Sequence, residues 1–120
     1  MLIRELLDAG DAAAIAVTAP SRPSLNYSGL RAHCDDIAGQ LAFLGLVAGD
    51  RAAIVLPNGP EMATCFLAVA SRFSAAPLNP AYKQSEYRFY LEDLAPKIVI
   101  VADGSDNPVR AAATELGIPV

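Results

Sequence analysis

The chain of 120 residues has no tryptophan, a single histidine and only two cysteines. That excludes a zinc site built in the usual way, because His33 and Cys34 adjoin but Cys65 is remote. Two thiols also exclude a disulfide framework, and a reducing compartment is the natural reading. Positive charge is scarce: nine Lys+Arg stand against thirteen Asp+Glu, a net charge of −4. No basic stretch is dense enough for a nucleic-acid or anionic-membrane surface, so neither partner is expected. The apolar runs stop well short of the ~20 residues that a membrane span requires. The first eight residues, Met1 to Asp8, have no apolar signal region, so a cytoplasmic location is predicted. The phosphate-cradling patterns, the P-loop and Gly-x-Gly-x-x-Gly, are both missing.

What is present is apolar mass. Hydrophobic residues make up 53% of the chain and charged residues 18%, which excludes disorder. A chain of this size can bury roughly two-thirds of its unfolded surface in one core. The excess predicts exposed apolar surface and self-association, as dimers or exchanged strands.

The pattern along the chain predicts its elements. Leu2 to Asp8 reads as a short helix stopped at Gly10. Ala14–Val17 and Leu25–Tyr27, separated by Pro20-Ser21-Arg22-Pro23, read as a loose β-hairpin. Ser28 is placed to cap a long helix whose stripe is Leu30, Cys34, Ile37, Leu41 and Leu44, ended by Gly45. Ala52–Leu56 is apolar without alternation, as in a strand covered on both faces. Pro60 opens the next helix, with Met62, Phe66, Val69 and Phe73 inward. A short strand follows at Ala75–Leu78, then a helix capped by Ser85 with Tyr87, Tyr90, Leu91 and Leu94 on one side, stopped by Pro96. Ile98–Val101 is the clearest buried strand and is predicted to be central. A last helix carries Val109, Ala112, Ala113 and Leu116 inward and closes at Gly117, and Ile118–Val120 starts a further strand. Strand and helix alternate from Arg51 onward. The predicted class is therefore α/β: an open, mostly parallel sheet with helices on both faces, preceded by a short N-terminal β-hairpin. Residues 1–120 read as one N-terminal subdomain that continues beyond Val120.

No residue forms a catalytic motif by itself. The turn Pro57-Asn58-Gly59-Pro60 lies between a strand and a helix, where anions can bind, but its two prolines remove amide donors and favour a plain turn. His33 has no nucleophile nearby and reads as a solvated helix face. Cys34 and Cys65 fall on apolar faces and read as buried thiols rather than nucleophiles. Asp103 to Asp106 offers carboxylates for a cation but reads as a loop. Asn79 and Tyr82 follow a strand end, where open α/β sheets hold their ligands. They are either the wall of a cleft or, more simply, a turn residue before Pro80 and a packed ring.

The order of short motifs carries more than any one of them. Leu25-Asn26-Tyr27-Ser28-Gly29-Leu30 is followed by Leu44-Gly45-Leu46, Gly49-Asp50-Arg51-Ala52-Ala53-Ile54, Leu56-Pro57-Asn58-Gly59-Pro60-Glu61 and Phe66-Leu67-Ala68. Ala75 to Tyr82, then Glu86, Leu91 and Asp93, complete the series. It resembles the opening of the AMP-forming acyl-CoA synthetases, the adenylate-forming superfamily, from about residue 12 onward. Asn26 stands where that family usually has Thr, Gly29 where it has Glu, and Ser74-Ala75 where it has Gly-Ala. The stretch from Ala75 to Tyr90 is most similar to the oxalate–CoA ligase branch and its fatty- and dicarboxylic-acid relatives. The resemblance implies the first part of a large N-terminal domain. It also implies an enzyme that joins a carboxylic acid to coenzyme A with ATP and Mg²⁺, through an acyl-adenylate. The family's catalytic and metal-binding motifs have no counterpart in these residues, so this chain alone is expected to be inactive and to bind no cofactor. The alternative from the residues alone is a free-standing, flavodoxin-like module for a small ligand or a protein partner.

Overall fold

The structure, a computed structural model, describes residues 3–8, 11–18 and 25–120. Its elements are α1 (Ile3–Asp8), β1 (Ile15–Val17), β2 (Leu25–Asn26), α2 (Tyr27–Phe43) and β3 (Arg51–Val55). There follow α3 (Pro60–Ala70), β4 (Ser74–Pro77), α4 (Gln84–Leu94), β5 (Ile98–Val101) and α5 (Val109–Leu116). The expected starts and stops at Leu2, Gly10 and Pro20–Pro23 lie outside the described residues.

β1 and β2 pair antiparallel, as the hairpin reading requires. β3, β4 and β5 form a parallel sheet in the order β4-β3-β5, with Ala53 opposite Ala76 on one side and Val99 on the other. The central strand is thus β3, which corrects the central place expected for Ile98–Val101. Hydrophobicity reports burial between helix layers, and an outer strand of a helix-covered sheet shares that burial. Ile118–Val120 is not a strand here; one bond, from the Val99 amide to the Pro119 carbonyl at 2.9 Å, ties it to β5.

Alternation along β3 divides the core in two. Ala52, Ile54 and Leu56 face Ala38, Leu41, Cys65 and Val69 of α2 and α3. Ala53 and Val55, with Val99, face Tyr87 and Leu91 of α4 and Val109, Ala112 and Ala113 of α5. Each face is closed by one helix pair, which is why β3 has no polar side chain beyond Arg51. A third cluster, Leu7, Leu30, Cys34 and Ala68, seats α1 and the hairpin against α2.

The helix ends show where local reading slipped. Asn26, not Ser28, caps α2: its Oδ1 accepts the Gly29 amide at 2.8 Å while its own backbone is extended. Leu44 is exposed rather than buried, because Gly45 (φ 104°) reverses the chain. The Leu46 amide then reaches the Leu41 carbonyl and the Gly45 amide reaches that of Ala42, and Leu46 takes the core position beside Leu41. In α3 the buried residues are Thr64, Cys65, Ala68 and Val69, and Phe66 faces solvent. This helix lies against α2 as well as the sheet, and the close helix contact is made by small side chains. α4 starts at Gln84 with Lys83 as its cap residue, not Ser85, and the Lys83 amide donates to Glu86 Oε1 at 3.1 Å.

Candidate functional site

In a parallel sheet the loops that follow strand C-terminal ends gather on one edge of the molecule. Here the loop after β3 leads to α3 on one face, whereas the loops after β4 and β5 lead to α4 and α5 on the other. In open α/β sheets such a change of face marks the strand ends where ligands are held, here the end of β3. Asn79 and Tyr82 both lie on its β4 side.

Local chemistry shapes that loop. Asn79 Oδ1 accepts the Ala81 amide at 2.9 Å, and its carbonyl accepts the Tyr82 amide at 3.3 Å, so residues 79–82 form a tight turn around Pro80. The Tyr87 hydroxyl donates to the same Asn79 carbonyl at 2.8 Å. Tyr87 is wholly buried, so α4 holds the loop from below. The Tyr82 ring stacks on Tyr90 (centroids 5.1 Å apart, 14° between planes) and meets Tyr87 edge-on. The hydroxyl contact with Tyr90 raises the Tyr82 pKa above its ordinary value. Both candidate residues are therefore structured, Asn79 at the exposed tip of the turn and Tyr82 half-buried on an aromatic stack.

The neighbouring loop after β5 is fixed with equal care. Asn107 Oδ1 accepts the Val109 amide at 2.9 Å, and the Asn107 amide N–H donates to Ser105 Oγ at 3.2 Å. Arg110 Nε donates to the Ser105 carbonyl. Asn107 Nδ2 then crosses to the Pro80 carbonyl at 2.9 Å, so the two loops touch. Asn107 precedes α5 and Tyr87 lies on the buried side of α4, and the local pattern at neither residue points to the 79–82 turn. The Asn-Pro pair at 107–108 marks the turn, but nothing in the spacing shows its reach to Pro80.

Of the remaining candidates, Pro57 to Pro60 lies at the turn from β3 into α3 and Asp103 to Asp106 in the loop after β5, whereas His33, Cys34 and Cys65 lie on helices away from these strand ends. His33 is exposed on α2. Cys34 and Cys65 are buried thiols on α2 and α3, and burial, with Cys34 nearby, pushes the Cys65 thiol up to about 11. Among the described residues no group of three or more His, Cys, Asp or Glu side chains could hold a metal, and Asp103 to Asp106 is a loop turned by Gly104. No helix of the described residues is long and apolar enough to cross a membrane. A groove of about 550 Å³ beside β5 is lined by Ile37, Leu41, Ile98 and Ile100, with Asp103 and Arg110 also on its wall.

The parallel sheet between two helix layers and the antiparallel hairpin before it define an α/β fold, and similarity to known proteins supplies the family. The chain belongs to the AMP-binding enzyme family, which matches residues 8–118. It is 34% identical over 114 residues to an oxalate–CoA ligase of Arabidopsis thaliana, covering 87% of this chain and 22% of that protein. It is 36% identical over 100 residues to an acetyl-coenzyme A synthetase of Mycobacterium tuberculosis, covering 78% and 15%. Among solved structures it superposes on ATP-bound MatB from Rhodopseudomonas palustris with a TM-score of 0.86 and 26% identity, over 98% of this chain and 24% of that one. The chain thus spans about a fifth of the length of the curated relatives it matches. The match places it with adenylate-forming enzymes rather than with flavodoxin-like modules.

Proposed function

We propose that this chain is the first part of the large N-terminal domain of an AMP-forming acid–CoA ligase. The observation that carries the reading is the family match across residues 8–118, joined to a fold that superposes on such enzymes. In the reaction a carboxylate attacks the α-phosphorus of ATP, releasing pyrophosphate, and the thiol of coenzyme A then displaces AMP from the acyl-adenylate. A carboxylate is a poor electrophile, and adenylation supplies the leaving group. Mg²⁺ would supply charge neutralisation at the phosphates, and residues 57–60, poor in amide donors, are unsuited to that task.

This chain contributes scaffold and one wall of the ligand site at the strand ends, where Asn79 and Tyr82 are the residues in reach of a ligand. The likeness to oxalate–CoA ligase favours a small carboxylic acid as substrate. A cytoplasmic, reducing setting suits the two buried thiols.

Two measurements test this. The 120-residue chain with ATP, Mg²⁺ and a carboxylic acid is expected to release no pyrophosphate and to bind ATP no tighter than the millimolar range, ~4 kcal/mol; release of pyrophosphate by the chain alone would overturn its role as scaffold only. In the enzyme that carries this chain, Asn79→Ala and Tyr82→Ala lower turnover with no matching fall in melting temperature. Equal losses of both would leave Asn79 and Tyr82 as structural residues only.

A further inference from the structure

The loops after β4 and β5 are not neighbours in sheet order, since β3 lies between their strands. Yet one side chain joins them. The two ends of the Asn107 amide do different work: Oδ1 accepts the Val109 amide at the start of α5, while Nδ2 donates to the Pro80 carbonyl of the loop after β4. Both bonds are 2.9 Å long, and only one orientation of the amide satisfies both. Asn107 is itself anchored through its backbone to Ser105, and Ser105 to Arg110, so the donor is presented from a rigid turn. The Pro80 carbonyl lies within the 79–82 turn, which Tyr87 holds from below through the Asn79 carbonyl. The turn is therefore gripped at two successive carbonyls, from the core and from the neighbouring loop.

We propose that Asn107 is a positioning residue: its amide clasps the two strand-end loops together and sets the Asn79–Tyr82 wall for ligand. The inference rests on the ligase reading above only for the identity of the ligands; the clasp itself is a property of this chain. A residue that merely capped α5 would need an acceptor alone. The donor half of the amide has no role in the cap, and it bonds the wall.

Asn107→Asp separates the two roles. The carboxylate keeps an acceptor for Val109 and favours the helix N-terminus, but it places an oxygen against the Pro80 carbonyl in place of a donor. Asn107→Ser repeats the separation without adding charge, since the shorter hydroxyl caps without spanning to Pro80. In the 120-residue chain, backbone hydrogen exchange at Ala81 and Tyr82 is expected to speed up by about five- to tenfold in both variants, the effect of one ordinary hydrogen bond. Exchange at Val109 should stay at the wild-type level, and the melting temperature should fall by only the few degrees that one hydrogen bond carries. In the enzyme carrying the chain, the KM for carboxylic acid, ATP or coenzyme A rises about five- to tenfold while kcat stays within about twofold, the mark of lost binding rather than lost chemistry. Unchanged exchange at Ala81 and Tyr82 in both variants overturns the clasp. Faster exchange with all three KM values unchanged overturns its positioning role. An enzyme that makes no acyl-adenylate refutes the ligase reading instead, and the exchange result still decides the clasp.

Discussion

Two backbone positions show how a single residue type is chosen by conformation. Gly45 sits at φ 104°, where an added Cβ meets no neighbouring atom, so the conformation alone demands glycine. Gly45→Ala is expected to cost about 1 kcal/mol or more in urea denaturation. Ala95 ends α4 in the same left-handed region, at φ 47°. There Ala95→Gly should stabilise by about 0.5–1 kcal/mol, the left-handed cost less the chain entropy glycine adds to the unfolded state. Opposite signs at two helix ends make the pair a sharp check on the structure. Cys65 provides a pH test. Burial raises its thiol from 9.0 to about 11, so above pH 9 the unfolded chain loses its proton first and gains stability relative to the fold. The contribution of this thiol is whole below pH 9 and declines as pH rises through about 11. The urea midpoint should fall across that window, and Cys65→Ala should flatten the fall once tyrosine and lysine titration common to both proteins is subtracted.

Between elements, the α2–α3 contact is set by small residues. Cys34, Ala38 and Ala68 are each at most 1% exposed, and Phe66 turns outward to let the helices approach. Ala68→Leu is therefore expected to destabilise by about 1–3 kcal/mol, because a closely packed site has no room for three more carbons. On the opposite face the helix pair is tied by surface charge. Arg88 bridges Glu115 at 2.7 Å and Glu92 at 3.4 Å, and Gln84 also bonds Glu115. The Glu115 contact, first of all, raises the Arg88 pKa. These groups are solvated, so Glu115→Gln should change stability by less than about 1 kcal/mol, a contrast with Ala68 that a single set of denaturation curves can display.

The whole molecule keeps a large apolar surface uncovered. Phe43 is 91% exposed and Leu44 and Val47 are more than 60% exposed, all at the C-terminal end of α2, and Phe89 projects from α4. Exposed apolar side chains of this kind favour association. The chain is expected to associate at high concentration, and Phe43→Lys with Leu44→Lys should shift sedimentation toward monomer. A wild-type chain that stays monomeric throughout would contradict this.

How much was legible depended on the range of the cause. The parallel α/β alternation, the hairpin, the buried β3 and the Gly45 and Gly117 helix stops follow from hydrophobic period and backbone freedom, which act within a few residues. The place of β3 at the centre does not, because lateral order is set by which strand each crossover reaches, and Ile98–Val101 is equally apolar in either place. The caps fall at Asn26 and Lys83, each two residues before the serine that side-chain type alone favours, since the cap is chosen by where the chain enters the helix. At the candidate site, Asn79 and Tyr82 could be picked out from a strand end followed by Asn-Pro. The grip of Tyr87 and Asn107 on that turn could not, because it joins residues 8 and 27 positions apart. Local preference wrote the elements of this protein into its sequence, and only packing three strands between two helix pairs brought the loops within hydrogen-bond reach.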